Sequence, residues 1–85
     1  VQVPLPSARV VMIGKPGCHL CDVARETIRA VVAETGDDFA EVHLADDPAY
    51  ARYTEEIPVT FVDGAQHDYW RVDEGRLRAA LRPRA

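Results

Sequence analysis

Cysteine is scarce in this chain: two residues in 85, alongside one methionine and one tryptophan. Two cysteines cannot build a disulfide-dense scaffold, so the fold must rest on a hydrophobic core. No run of about 18 apolar residues occurs, so no membrane-spanning helix is expected. Val1 to Ser7 has neither a basic n-region nor an apolar h-region and does not read as a secretory signal. Positive charge is also missing where nucleic acid would need it. Between Glu34 and Glu74 there are twelve acids and only two bases, Arg52 and Arg71. Neutralising phosphates takes a stripe of Lys or Arg, so no nucleic-acid partner is expected. The bases collect instead at Arg76, Arg78, Arg82 and Arg84, where helix-end dipole matching and solvation account for them.

What remains is the balance of an ordinary globular domain: 47% apolar, 28% charged, net charge −4. The length suits one domain. The two prolines of residues 1–8 mark an N-terminal tail, and residues 9–85 form the single domain. Arg9 to Ile13 is a short continuous apolar run, the pattern of a buried strand. Gly14-Lys15-Pro16-Gly17 is a loop. A helix is predicted from near Cys18 to about Glu34, with Leu20, Ala24, Thr27, Ile28 and Val31 on its inward face, and Gly36 as a left-handed cap. Phe39 to Leu44 alternates as a strand. Asp46-Asp47-Pro48 starts a short helix to about Tyr53. Val59 to Val62 is a β-branched and aromatic strand, and Asp63-Gly64 a hairpin turn. The strand returns over Gln66 to Val72, which would set Tyr69 and Trp70 on opposite faces, one packed and one outward. Asp73 caps a last helix through Leu81, with Leu77, Ala80 and Leu81 inward. The order is β-α-β-α-β-β-α, with the first two strands parallel.

The chemistry concentrates in Cys18-His19-Leu20-Cys21. A C-x-x-C pair can be a zinc knuckle, a cluster ligand pair or a redox dithiol. This one follows a strand and a Gly/Pro loop and opens a helix. A helix N-terminus carries partial positive charge and unpaired N–H groups, and both favour a thiolate. The position favours the redox dithiol, with metal ligation or an inert pair as the alternatives. Cys18 would be the exposed nucleophile and Cys21 the resolving thiol, a turn inside the helix. His19, between them, either tunes the thiolate or is a surface residue. Ile57-Pro58-Val59 is either a plain strand start or a cis-proline loop facing the dithiol. In the second case Ile57 offers its backbone to an extended substrate. His43 and His67 read as surface or partly buried residues rather than metal ligands. The pairs Asp37-Asp38, Asp46-Asp47 and Glu55-Glu56 read as loops and caps rather than an acid/base dyad.

Taken together, Gly14-Lys15-Pro16-Gly17-Cys18-His19-Leu20-Cys21, Ile57-Pro58-Val59 and Val62-Asp63-Gly64 resemble a glutaredoxin-like protein of the compact bacterial branch of the thioredoxin-fold superfamily. The resemblance spans about Val10 to Leu81. It implies an α/β fold of thioredoxin-like, glutaredoxin type: a four-stranded mixed sheet with helices on both faces. Lys15 matches the glutaredoxin lysine that favours the thiolate and meets a glutathione carboxylate. The chain departs from glutaredoxins at Gly17, where an aromatic is common, and at His19-Leu20, where Pro-Tyr is usual. It departs again at Tyr69-Trp70-Arg71-Val72-Asp73, where a Gly-Gly precedes an acid that binds the γ-glutamyl end of glutathione. Thioredoxin itself, with Trp-Cys-Gly-Pro-Cys and a buried acid where Met12 stands, fits less well.

The expectation is therefore a small thiol–disulfide oxidoreductase. Its catalytic and redox-disulfide residues would be Cys18 and Cys21, its thiolate-tuning residues Lys15 and His19, and its substrate-binding residues Lys15, Ile57 and Pro58. No metal or organic cofactor is required. Glutathione or a dithiol reductase would be the reductant, and protein or small-molecule disulfides the substrates. A cytoplasmic monomer without membrane contact is expected. Two alternatives compete: an iron–sulfur carrier using Cys18 with glutathione, and a redox-silent interaction module on the same fold.

Overall fold

The structure is a computed structural model that describes residues 4–81. Val1 to Val3 of the expected tail, and the expected basic residues Arg82 and Arg84, lie outside the described residues. The chain forms strand β1 (Val10–Gly14), helix α1 (His19–Thr35) and strand β2 (Phe39–His43). A 3-10 turn (Leu44–Asp46) and a 3-10 helix (Pro48–Glu56) follow. Strands β3 (Val59–Val62) and β4 (Ala65–Tyr69) and helix α2 (Glu74–Ala80) complete the order. Among the described residues no helix is long and apolar enough to cross a membrane.

The four strands form one mixed sheet in the order β2-β1-β3-β4. β1 runs parallel to β2 and antiparallel to β3, and β3 and β4 form the antiparallel hairpin. This order explains the patterns of the sequence. β1 and β3 lie inside the sheet and are buried along their whole length, so their residues are apolar on both faces. The exception is Thr60, fully buried, whose hydroxyl has no hydrogen-bond partner in the structure. The edge strands β2 and β4 are half-buried to exposed, as their mixed composition requires.

Both faces of the sheet are covered. Cys21, Ala24, Ile28 and Val31 are the buried residues of α1, and Cys21 sits over Gly14 beside Met12. Full burial of a side chain such as Ile28 contributes about 1.5–3 kcal/mol. On the opposite face Tyr53 meets Phe61 edge-on at 5.5 Å. Gly36 closes α1 at φ 81°, and its N–H donates to the Val32 carbonyl at 2.8 Å. That left-handed conformation is disfavoured for any residue with a Cβ.

Three details differ from the sequence reading. The helix after Asp47 is a 3-10 helix and runs three residues further, to Glu56. Its buried residues are Tyr50 and Tyr53, a spacing of three that stacks on one side of a three-residue turn. Asp47 still caps it, accepting from the Ala49 N–H at 2.8 Å. Leu20 is 36% exposed rather than inward. At the first turn of α1 the inward place belongs to Cys21, which packs against Gly14. Strand β4 stops at Tyr69 instead of reaching Val72. His67 is an extra residue in the ladder, since Thr60 pairs with Asp68 and Phe61 with Gln66. The strand alternation that would place Tyr69 and Trp70 on opposite faces does not apply, because β4 ends at Tyr69 and Trp70 takes a left-handed φ of 63°.

Arginines tie the elements at the surface. Arg9 donates to Asp37 and Asp63, each at 3.0 Å, and to the Leu81 carbonyl at 3.1 Å. Arg25 of α1 grips Glu41 of β2 through two bonds of 2.6 and 2.7 Å. Arg76 pairs with Asp68, and Arg78 with Glu34 and Glu74. Leu5 and Ala8 of the leading segment pack against the core.

Candidate functional site at the start of helix α1

Cys18 is the N-cap of α1, in an extended conformation with φ −93° and ψ 107°. Its Sγ accepts from the Cys21 N–H at 3.1 Å. This is the placement that stabilises negative charge on sulfur, because a helix N-terminus presents unpaired donors and positive potential. The two sulfurs are at disulfide distance, with Cα atoms 5.2 Å apart. Their surroundings differ. Cys18 is half-buried at the surface, whereas Cys21 is 1% exposed. Gly14 leaves the room that Cys21 occupies: a Cβ there would stand 3.2 Å from the Cys21 Sγ.

Lys15 is exposed on the loop before Cys18 and forms no ion pair among the described residues. His19 is exposed as the first residue of α1. Ile57 and Pro58 are buried at the end of the 3-10 helix, and the peptide between them is cis. The two regions meet across a surface cavity of about 320 Å³ lined by Leu20, Ile57, Tyr69, Trp70 and Arg71. A second cavity of about 220 Å³ lies along α1, lined by residues that include His19, Leu20, Val23 and Trp70. Leu20 and Trp70 border both.

This apolar surface is the part of the site that the sequence reading missed. Among the described residues, Leu20, Val23, Tyr69 and Trp70 are the large apolar side chains left exposed, at 36, 45, 49 and 51%. Tyr69 and Trp70 do not divide between two faces. They lie together, ring centroids 5.0 Å apart and edge-on. Trp70 leaves the strand with φ 63°, a left-handed conformation that costs a non-glycine residue about 1–2 kcal/mol. Three hydrogen bonds surround it. Its N–H donates to the Pro58 carbonyl at 2.7 Å, and the Arg71 N–H donates to the Tyr69 carbonyl at 2.8 Å. Its indole Nε1–H donates to the Glu55 carbonyl at 2.9 Å. The sequence signal was one of position: a lone tryptophan three residues before the Asp73 cap, past the end of β4, has little sheet left to pack on.

The other candidates lie elsewhere. His43 is exposed at the end of β2 and His67 partly buried on β4. Among the described residues no group of three or more His, Cys, Asp or Glu side chains is arranged to hold a metal ion. Asp46 accepts from the His43 N–H at 2.8 Å, and Asp38 from the Arg9 N–H at 3.0 Å. Asp37, held by the Thr35 hydroxyl and the Arg9 guanidinium, keeps its carboxyl below the usual range.

The chain is similar in fold and sequence to known proteins. An X-ray structure of a structural-genomics target from X. campestris superposes with a TM-score of 0.68 at 32% identity, covering 85% of this chain and 93% of that one. The solution structure of protein Ne2328 from Nitrosomonas europaea gives 0.76 at 20% identity, over 96% of this chain and 100% of the other. The holo form of glutaredoxin C1 from poplar (Populus tremula x tremuloides) gives 0.56 at 22% identity, over 88 and 84%. The last two likenesses bear on the fold alone. Uncharacterised proteins of Mycobacterium bovis and Mycobacterium tuberculosis are 31% identical over 79 residues, which is 86% of this chain and 81% of theirs. The sequence profile of the Glutaredoxin-like domain (DUF836) matches residues 9–82. With a thioredoxin-type sheet, a C-x-x-C pair at the start of α1 and that match along nearly its whole length, the chain belongs to the glutaredoxin-like domain (DUF836) family.

Proposed function

We propose that the protein is a thiol–disulfide oxidoreductase. The observation that carries this reading is the asymmetry of the pair: Cys18 at the helix cap and partly exposed, Cys21 buried behind it at disulfide distance. In the reduced protein the Cys18 thiolate attacks one sulfur of a substrate disulfide. A Cys18–substrate disulfide forms, and the other substrate sulfur leaves as a thiolate, taking a proton from solvent. Cys21 then gives up its proton, attacks the Cys18 sulfur and expels the second substrate thiol. Two electrons have passed to the substrate, and Cys18–Cys21 is oxidised. An external thiol reductant, glutathione or a dithiol reductase, restores the pair by the reverse exchange.

The surroundings support these roles. Lys15 and His19 are exposed three residues before and one residue after Cys18 in the chain, and a positive side chain brought near the sulfur favours the thiolate. Ile57 lines the same cavity as Leu20, which supports an extended substrate backbone lying along Ile57. No metal or organic cofactor takes part. The test is trapping. Cys21→Ser accumulates mixed disulfides with substrate on a non-reducing gel, and Cys18→Ser accumulates none. Equal labelling of both thiols by a slow alkylating agent, with one common pH midpoint, would overturn the assignment.

A further inference from the structure

We propose that Trp70 is the positioning residue of the substrate loop, an inference that rests on the oxidoreductase reading. Its two donors reach both ends of one short segment. The backbone N–H bonds the Pro58 carbonyl at 2.7 Å and the indole N–H bonds the Glu55 carbonyl at 2.9 Å. Between those two acceptors stand Glu56, Ile57 and the Ile57–Pro58 peptide. Pro58 stands one register step beyond the Val59–Tyr69 pair, so the backbone bond carries the β3–β4 ladder one step further, while the indole bond reaches the last turn of the 3-10 helix, which ends at Glu56. One residue therefore spans the gap between two elements and fixes the stretch that faces Leu20 across the cavity.

Two further observations favour a dedicated role over incidental packing. Trp70 is 51% exposed, so about half of its surface is left out of packing. It also holds a left-handed backbone, which a tryptophan adopts only where its surroundings enforce it. Only the indole N–H reaches the 3-10 helix, at Glu55; the backbone N–H meets Pro58, beyond that helix's end. The hydrogen bonds and ring contact of Trp70 go to the loop and to Tyr69, and it borders the cavity beside Leu20. Its influence should accordingly reach the binding of substrate and leave the dithiol's own equilibrium alone.

Two variants of the full chain separate these effects. Trp70→Phe keeps a ring and the backbone N–H but loses the indole donor. Trp70→Gly loses the ring as well, and its backbone accepts the left-handed angle, so the fold is retained. Each is compared with wild type in turnover of a disulfide-linked peptide with dithiothreitol as reductant, in the reduction potential of the dithiol, and in amide hydrogen exchange at Glu56 and Ile57. One neutral hydrogen bond lost corresponds to roughly a 2- to 10-fold effect. Trp70→Phe should therefore lower kcat/KM by about that factor, through KM, with faster exchange at Glu56 and Ile57 and an unchanged potential. Trp70→Gly should lose at least as much. Unchanged kcat/KM in both variants, or a loss matched by a shift in potential, would overturn the proposal. A wild-type protein that exchanges no disulfide would overturn the oxidoreductase reading instead, and amide exchange would still decide whether Trp70 holds the loop.

Discussion

Gly14→Ala should make the dithiol a stronger oxidant. Gly14 is buried at the end of β1, and a Cβ added there would stand 3.2 Å from the Cys21 Sγ, 3.5 Å from the Met12 Cε and 3.6 Å from the Cys21 Cβ. The first distance is a few tenths of an ångström shorter than ordinary contact. In the reduced protein the Cys21 thiol can turn about its χ1 to relieve that crowding. In the oxidised protein the same sulfur is bonded to Cys18, whose own sulfur receives the Cys21 N–H, and it has no such freedom. The methyl therefore raises the free energy of the disulfide form more than that of the dithiol form. Overpacking by one methyl costs about 1–3 kcal/mol. If about 1–2 kcal/mol of it falls on the oxidised state alone, the potential rises by roughly 20–45 mV. The assay is equilibration of the pure protein against a series of glutathione or dithiothreitol redox buffers, followed by alkylation and mass measurement of the two states. Thermal midpoints of both states give the cost directly, and the oxidised midpoint should fall further than the reduced one. An unchanged or lowered potential, with equal thermal losses in both states, would refute the reasoning.

Two other perturbations probe the frame around the site. Glu41's carboxyl lies below its ordinary value of 4.5, chiefly because it accepts hydrogen bonds from Arg25. A lowered folded value means the pair stabilises the protein above the unfolded value and loses that contribution as pH falls through the folded one. Stability should therefore drop on acidification below about pH 4.5, and Glu41→Gln should flatten that part of a chemical-denaturation profile measured against pH; an unaltered profile would show that other carboxylates carry the effect. Gly36→Ala should destabilise the fold by about 1–2 kcal/mol, because an L side chain is forced to φ 81°, and denaturant midpoints compared with the neutral surface change Ala33→Ser measure it.

Much of this molecule follows from local rules that a one-dimensional pattern can carry. A continuous apolar run in Val10 to Ile13 marks a strand covered on both faces, and β1 is such a strand between β2 and β3. Gly36, Asp47, Asp63-Gly64 and Asp73 act within a few residues of their own position, so their caps and turn were legible. The same holds for the C-x-x-C pair, whose place at a helix start depends only on the loop before it and the periodicity after it. Tertiary structure alone decided the rest. Leu20 and Cys21 are both apolar neighbours at the first turn, and which one faced the core depended on Gly14, seven residues before Cys21 and on another element. That Pro48–Glu56 winds as a 3-10 helix, with Tyr50 and Tyr53 buried on one side, was also not legible in the sequence. Trp70 was the hardest residue to place. Its orientation goes with a left-handed backbone at the end of β4 and with carbonyls of Glu55 and Pro58, twelve or more positions away. No periodicity records a bond that exists only once the sheet has formed, and so the apolar wall beside the dithiol emerged only with the folded chain.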